Sequence, residues 1–420
     1  MKTFFRKVLL LRKKLAMWGI RGVLDWVARF RRDLRLRSFF KKNARKYPYP
    51  QPESGITIIG ALSGGAWSLS KVLRDFAHSL RDAGIPFQTY DIGNGKDPSE
   101  DYADIMTPRS EFRIRRYSHV VEMVSSPLPD GIVDHRSRIV FWEFQEGVGE
   151  AFHPLIERDD GIIAMSDFNF EYFKREFGSR IHVSKILYPL QMNISTVPSK
   201  RDCRRKFNLG ENDFLVFYNF AYTSGWWRKN PIGVVRVFAR ALRKVPEARL
   251  IFKTSARKAF ANREAELMDA IRNEGVSDKV VLFNDWMPQC DLYALTNACD
   301  VCLSLHRAEG FGLGVAEAML LSKPVIVTDY SATTEFCKAD NSMLVPCERV
   351  AIPPGQKDAV WYRAVQTWAE PDLDAAASAL AQLHSQPELR ERLGRAARAS
   401  LMHRYSISQF RESVLDFLSS

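Results

Sequence analysis

Cysteine is scarce: Cys203, Cys290, Cys299, Cys302, Cys337 and Cys347 are scattered through 420 residues. Six at that spacing build no disulfide framework, and Cys299-Asp-Val-Cys302 has no second pair at zinc-ribbon distance. Read as reduced thiols, with Cys299 and Cys302 as small apolar fillers flanking a buried strand, they point to the cytoplasm. No Asp-x-Asp stands in a metal-ligating context, and His119, His153 and His306 are too dispersed to act together, so neither a metal nor a cofactor is expected. Repeats and low-complexity tracts are also missing. With 46% hydrophobic against 26% charged residues, the body has enough apolar surface to fold unaided, which excludes a disordered chain.

Acidic residues are nearly absent from one stretch. Residues 1–46 hold 16 Lys and Arg against Asp25 and Asp33, an excess of 14, while the other 374 residues are close to neutral. Phe4, Val8, Leu11, Leu15 and Trp18, then Ile20, Leu24, Val27, Phe30 and Leu34, recur at helical spacing among the cations. Uncharged runs such as Val8 to Leu11 fall far short of the roughly 18–20 apolar residues that span a bilayer. Trp18, Trp26, Phe5, Phe39 and Phe40 beside so many basic residues fit a helix lying on an anionic membrane surface. Nucleic acid would need the charge but not the aromatics, and is not expected as a partner. A helix packed on its own body is the remaining alternative.

Beyond the linker Tyr47 to Pro52 the pattern becomes strand, loop and helix. Gly55–Gly60, a small-residue loop at Ser63–Gly65, a helix Leu69–Ala83 and a strand Phe87–Ile92 make one βαβ unit. Strands are expected at Ser118–Val124, Arg138–Trp142 and Gly161–Met165, with a helix over Phe168–Phe177. A second series has strands Phe214–Asn219, Ala248–Lys253, Lys279–Phe283, Val301–Leu305 and Pro324–Thr328, with helices Pro231–Val245 and Arg263–Asn273. The expected organisation is a basic segment (1–50), a first Rossmann-like domain (51–195), a second (196–402), and a last helix (403–420) returning to the first. In open parallel sheets ligands bind beyond the carboxyl ends of the strands, so two facing sheets place two substrates in one cleft.

The run from Val301 to Thr328 is the most informative. Gly310, Gly312 and Gly314 let the backbone approach a ligand, and a helix starting near Leu313 aims its unpaired N–H groups at the same point. Such a cradle suits a departing diphosphate, whose charge must be stabilised. Glu309 lies in the loop and Glu317 eight residues on, expected in the helix's first turn. They therefore bracket the phosphate position, Glu309 toward a sugar and Glu317 toward ribose hydroxyls.

Glu309-Gly-Phe-Gly312 with Glu317-Ala-Met319 resembles the Glu-x7-Glu signature of glycosyltransferase family four, retaining enzymes of GT-B fold that include many bacterial lipopolysaccharide and capsule transferases. Ser304 to Gly312, Lys323-Pro-Val-Ile326, Thr328-Asp-Tyr-Ser331 and Asn341 resemble one bacterial subgroup, as do Trp227-Arg-Lys-Asn-Pro231 and Trp368-Ala-Glu-Pro-Asp372. The likeness is good over 210–400 and loose over 55–190. It implies that Lys229 and Arg228 hold the donor diphosphate beside Glu309, and that Gly310, Phe311, Gly312, Leu313, Gly314 and Glu317 line the donor site. Family members carry an Arg six residues before the Lys; Thr223 stands there, so either Arg228 or Lys253 supplies the second cation. Gly64 and Gly65 would face the phosphates and acceptor, with Glu143 of the Trp142-Glu143 pair beside them.

The implied reaction moves a hexose from a nucleoside-diphosphate sugar to a saccharide or lipid-linked acceptor in cell-surface polysaccharide synthesis. Residues 1–46 would hold the enzyme peripherally at the inner face of the membrane. The rivals are a GT-B sugar-nucleotide epimerase or phosphorylase, and a membrane-associated scaffold with an inactive site.

Overall fold

The computed structural model describes residues 30–49, 51–63, 68–93, 102–123, 128–148, 153–156, 158–254, 260–356 and 366–420. Helix α1 covers residues 30–46. The first sheet consists of β1 (Glu53–Gly60), β2 (Phe87–Asp91), β3 (Tyr117–Met123), β4 (His135–Ile139), β5 (Gly161–Ala164) and β6 (His182–Lys185), all parallel, in the order β2-β1-β3-β4-β5-β6. Helices α2 (Ser68–Asp82), α3 (His153–Ile156) and α4 (Asp167–Phe177) alternate with these strands. The second sheet, also parallel, runs β12-β11-β10-β7-β8-β9, from β7 (Phe214–Asn219), β8 (Ala248–Lys253), β9 (Val280–Phe283), β10 (Val301–Ser304), β11 (Val325–Thr328) and β12 (Met343–Val345). Around it lie α5 (Lys200–Lys206), α6 (Trp226–Lys229), α7 (Pro231–Leu242), α8 (Ala261–Asn273), α9 (Gln289–Ala298), α10 (Leu313–Leu320), α11 (Leu373–Ser385) and α12 (Pro387–Arg404). An antiparallel hairpin, β13 (Cys347–Ala351) with β14 (Thr367–Pro371), and helix α13 (Ile407–Ser419) complete the chain.

The order of strands in each half is that of a doubly wound sheet, in which right-handed crossovers put helices on both faces. β4 begins earlier than its apolar residues suggest. Arg136 and Arg138 lie inside the sheet layer because Glu122 and Asp159 neutralise them: Arg136 meets Glu122 at 2.7 Å and Asp159 at 3.0 Å, and Arg138 meets Glu122 at 3.3 Å. The expected strand Arg138–Trp142 therefore sits three residues earlier, and residues 140–142 form the loop that follows it.

α1 docks through one face. Phe40 and Ala44 are buried, Phe39 and Phe40 lie 5.1 and 5.0 Å from the Tyr90 ring, and Asn43 both donates to the Phe112 carbonyl (3.0 Å) and accepts from the Ile114 amide (2.9 Å). Phe39 and Phe40, expected among the membrane-facing aromatics, instead cover the first sheet. The opposite face of α1 exposes Phe30, Leu34 and the side chains of Arg31, Arg35, Lys41, Lys42 and Arg45. Among the described residues no helix is long and apolar enough to cross a membrane.

The two halves meet along an apolar seam, where Phe311 stacks on Tyr188 at 4.2 Å. Polar links flank it: Ser166 Oγ donates to the Gly310 carbonyl (2.9 Å), Arg404 to Asp167 (2.8 Å) and Arg349 to Glu146 (2.5 Å). α13 crosses from the second half to pack on the first, with Phe410 5.7 Å from Phe76 and Phe417 4.8 Å from His119.

Candidate active site at the domain seam

β10 ends at Ser304, and the chain turns through Leu305 to Gly312 before α10 begins. Gly312 has φ 95°, a left-handed conformation that a side chain would strain, and a Cβ there would meet Thr333 Cγ2 at 2.3 Å. Gly310 brings its backbone against the other half, where a Cβ would lie 3.2 Å from the Trp142 carbonyl. At the head of α10, the Val315 and Ala316 amides turn back on the Gly312 carbonyl (3.0 and 3.1 Å). Leu313 and Gly314 are its first two residues, whose N–H groups no earlier helical turn can satisfy. Space beside Gly314 is open, its nearest neighbour being Asn219 Nδ2 at 3.9 Å.

The second loop comes from α6 and α7. Asn230, at φ 56°, caps α7 by accepting from the Gly233 amide (3.1 Å) while its amide nitrogen donates to the Leu305 carbonyl (3.0 Å). The Arg307 amide donates to the Arg228 carbonyl (2.6 Å), and Arg228 Nη1 to that of Ala308 (3.0 Å). The α6 cations are thereby pinned to the loop that carries Glu309.

Glu309 is buried, ion-paired with Lys229 Nζ, and 3.3 Å from Arg228 Nη1; Arg228 Nη2 reaches Glu143 of the first half at 3.1 Å. Two cations and two carboxylates from both halves thus share one cluster. Burial pushes the Glu309 carboxyl up, but Lys229 and Arg228 overcome it and hold its pKa down at about 2. Burial also lowers the pKa of Lys229, against the pull of Glu309. Below Glu309, Ser331 Oγ accepts from its amide at 3.0 Å. His306 is wholly buried between Ser304 Oγ (3.1 Å) and the Tyr330 carbonyl (3.3 Å), and burial depresses its pKa to about 4, so it stays neutral as scaffolding.

Glu317 lies one turn deeper than expected. It is the fifth residue of α10, in the second turn, and its Oε1 accepts from Gln289 Nε2 (3.2 Å) and Tyr293 Oη (3.3 Å) of α9. Burial raises its pKa to about 7; nearby Asp75 adds to this and Lys71 opposes it. The two carboxylates of the Glu-x7-Glu pair thus sit in opposite electrostatic surroundings.

Residues 200–400 match the family described as glycosyl transferases group 1. The match spans just under half of the chain and holds the second sheet and the loops of the candidate site. Its second half is therefore similar to glycosyl transferases, and its two parallel Rossmann-like sheets have the GT-B arrangement. No curated protein sequence matches it. Many solved structures share its fold. The sucrose-phosphate synthase of Thermosynechococcus elongatus is 15% identical, with 87% of this chain and 98% of that one covered at a TM-score of 0.62. A glycosyltransferase from Rickettsia africae gives 13%, 87%, 98% and 0.62. Anabaena HepE, solved with UDP and glucose, gives 16%, 87%, 99% and 0.58.

The remaining site residues expected from sequence lie in differing surroundings. Phe311, expected at the donor, turns its ring into the seam between Tyr188 and Phe336, because a buried apolar contact outweighs exposure to a polar ligand. Lys253 ends β8 with its ammonium donating to the Thr254 and Asp285 carbonyls, and burial lowers its pKa to about 8; its contacts are separate from the Glu309 cluster. Arg228 is the cation that joins that cluster. Gly64 and Gly65 lie outside the described residues. Among the described residues no group of His, Cys, Asp and Glu could hold a metal ion. Sequence reading did not single out Ser166, which anchors Gly310, or Gln289 and Tyr293, which anchor Glu317. Each is an ordinary polar residue in its own segment, made notable only by the fold.

Proposed function

We propose that this protein is a glycosyltransferase that moves a hexose, with retention, from a nucleoside-diphosphate sugar to a hydroxyl of a saccharide or lipid-linked acceptor in cell-surface polysaccharide synthesis. One observation carries the site assignment: Lys229 and Arg228 converge on Glu309 directly ahead of the leading end of α10, at the seam. A diphosphate lying there meets two fixed cations and the amides of Leu313 and Gly314. Those groups can take up its developing charge with no divalent ion. Glu309, held ionised, orients the sugar hydroxyls as Lys229 shifts toward the phosphates; Glu317 accepts from the ribose. Gly310, Gly312 and Gly314 keep the backbone close, Lys253 flanks the nucleoside side, and Glu143 faces the acceptor. Related folds support the donor class, since Anabaena HepE was solved with UDP-glucose and pneumococcal GtfA with UDP and GlcNAc. The basic segment 1–46 holds the enzyme on an anionic membrane surface at the inner face.

A thermal-shift panel of nucleoside diphosphates tests this, because a ligand bound to the folded state raises the melting temperature. One diphosphate should stand out, and its labelled sugar conjugate should then yield a glycosylated acceptor with the anomeric configuration kept. Epimerised or phosphorolysed donor, or no shift with any diphosphate, would refute the assignment.

A further inference from the structure

The seam contains a second charged cluster, away from Glu309. Lys71 and Asp75, one turn apart on α2 of the first half, are buried and ion-paired, and the Lys71 ammonium stands 3.8 Å from Glu317 Oε1 of the second half. Lys71 also reaches the Gln191 carbonyl at 3.5 Å, in the segment that joins the halves. One cation therefore serves two buried carboxylates. Asp75 takes its hydrogen bond and Glu317 its longer-range attraction. Among the described residues, the contacts of Glu317 with Gln289, Tyr293 and Lys71 all fall on Oε1, so Oε2 is available to a ligand. The other titratable groups facing it are Tyr293 of α9 and Tyr188 of the crossing segment, which burial keeps neutral, while Arg74 and His78 of α2 act on Asp75.

A buried carboxylate beside a second one binds a proton readily, and once protonated it accepts weakly and donates instead. The reading of Glu317 as partner of the donor's ribose requires an acceptor. Resting on that reading, we propose that Lys71 is a positioning residue for the donor nucleoside: from the opposite half it keeps Glu317 an ionised, fixed acceptor when the seam is closed, with Asp75 anchoring its side chain.

The test uses the full-length wild type, Lys71→Met and Lys71→Arg, with UDP, ADP and GDP each paired with its 2′,3′-dideoxy analogue. Affinities are measured by calorimetry at about pH 6.5 and about pH 8.5, which bracket the raised Glu317. The wild type should prefer the hydroxylated form of its diphosphate by about tenfold or more. Lys71→Met should lose that preference at the lower pH and regain part of it at the higher, where Glu317 ionises without help; Lys71→Arg should keep it. Melting temperatures establish that the variants are folded. Full discrimination by Lys71→Met at both pH values would overturn the proposal, as would a uniform, pH-independent loss in both variants. If the wild type binds a diphosphate without regard to its hydroxyls, the ribose reading of Glu317 fails first and this inference falls with it. If it binds none, the donor assignment itself fails.

Discussion

Glu309 and Glu317 are the same residue type on one short segment, yet their surroundings drive them apart. Glu309 faces Lys229 and Arg228; Glu317 faces Asp75 and shares a single, more distant ammonium. Removing Lys229 leaves Glu309 buried with one cation and removes a phosphate contact. Lys229→Ala should lower kcat/KM by about 100- to 1000-fold in steady-state assays, the usual loss for one preorganised charge-stabilising group. Unaltered turnover would remove Lys229 from the mechanism. The depressed Glu309 pKa also has a thermodynamic sign. The folded state binds its proton less tightly than the unfolded state, so its stabilisation is complete above the ordinary value of 4.5 and lost as pH falls toward about 2. Glu309→Gln should therefore melt well below wild type at neutral pH, by about 3 kcal/mol for a broken buried pair. That gap should narrow between those two pH values in a melting series, and a pH-independent gap would contradict the pairing.

The strand, loop and helix from Val301 to Thr328 are legible in the sequence because each local signal agrees with the fold: an apolar run, glycines where the chain must turn, and a helix former after them. Gly312 illustrates why. At φ 95° with Thr333 Cγ2 where a Cβ would go, Gly312→Ala combines backbone strain with a clash, and should destabilise by about 2 kcal/mol. Because the loop carries Glu309, donor KM should rise as well; a variant as stable and active as wild type in denaturation and rate assays would show that the glycine is incidental. Other elements were not legible, for physical reasons. The start of β4 is hidden because Arg136 reads as surface until Glu122 of β3 and Asp159, in the turn before β5, neutralise it. β6 reads His-Val-Ser-Lys, with no apolar run to mark it, and β12 is only three residues long. Asn230 looks like a turn residue, and only its bond to the Leu305 carbonyl reveals that it locks Lys229 to β10.

At the scale of the molecule, the charge asymmetry acquires an orientation. The composition alone left two readings of residues 1–46, a membrane-bound helix or one packed on the body, and α1 does the second through Phe39, Phe40 and Asn43 while keeping a basic face outward. The two are compatible: a helix fixed to the first half can present Arg31, Arg35, Lys41, Lys42 and Arg45 to anionic headgroups, with Phe30 and Leu34 exposed beside them. Deleting the segment is a poor test, because it would uncover Tyr90 and Phe112. Reversing those five cations to Glu leaves the docked face intact. Each basic residue near an anionic leaflet contributes about 1 kcal/mol, and reversal adds repulsion. In flotation with phosphatidylserine-containing vesicles, the five-fold variant should lose most of the wild-type binding at physiological salt. Neither protein should float with neutral vesicles, and the melting temperatures should match within a few degrees. Equal flotation of the two proteins would mean that this face does not meet the membrane, and the acceptor would then need to be sought away from it.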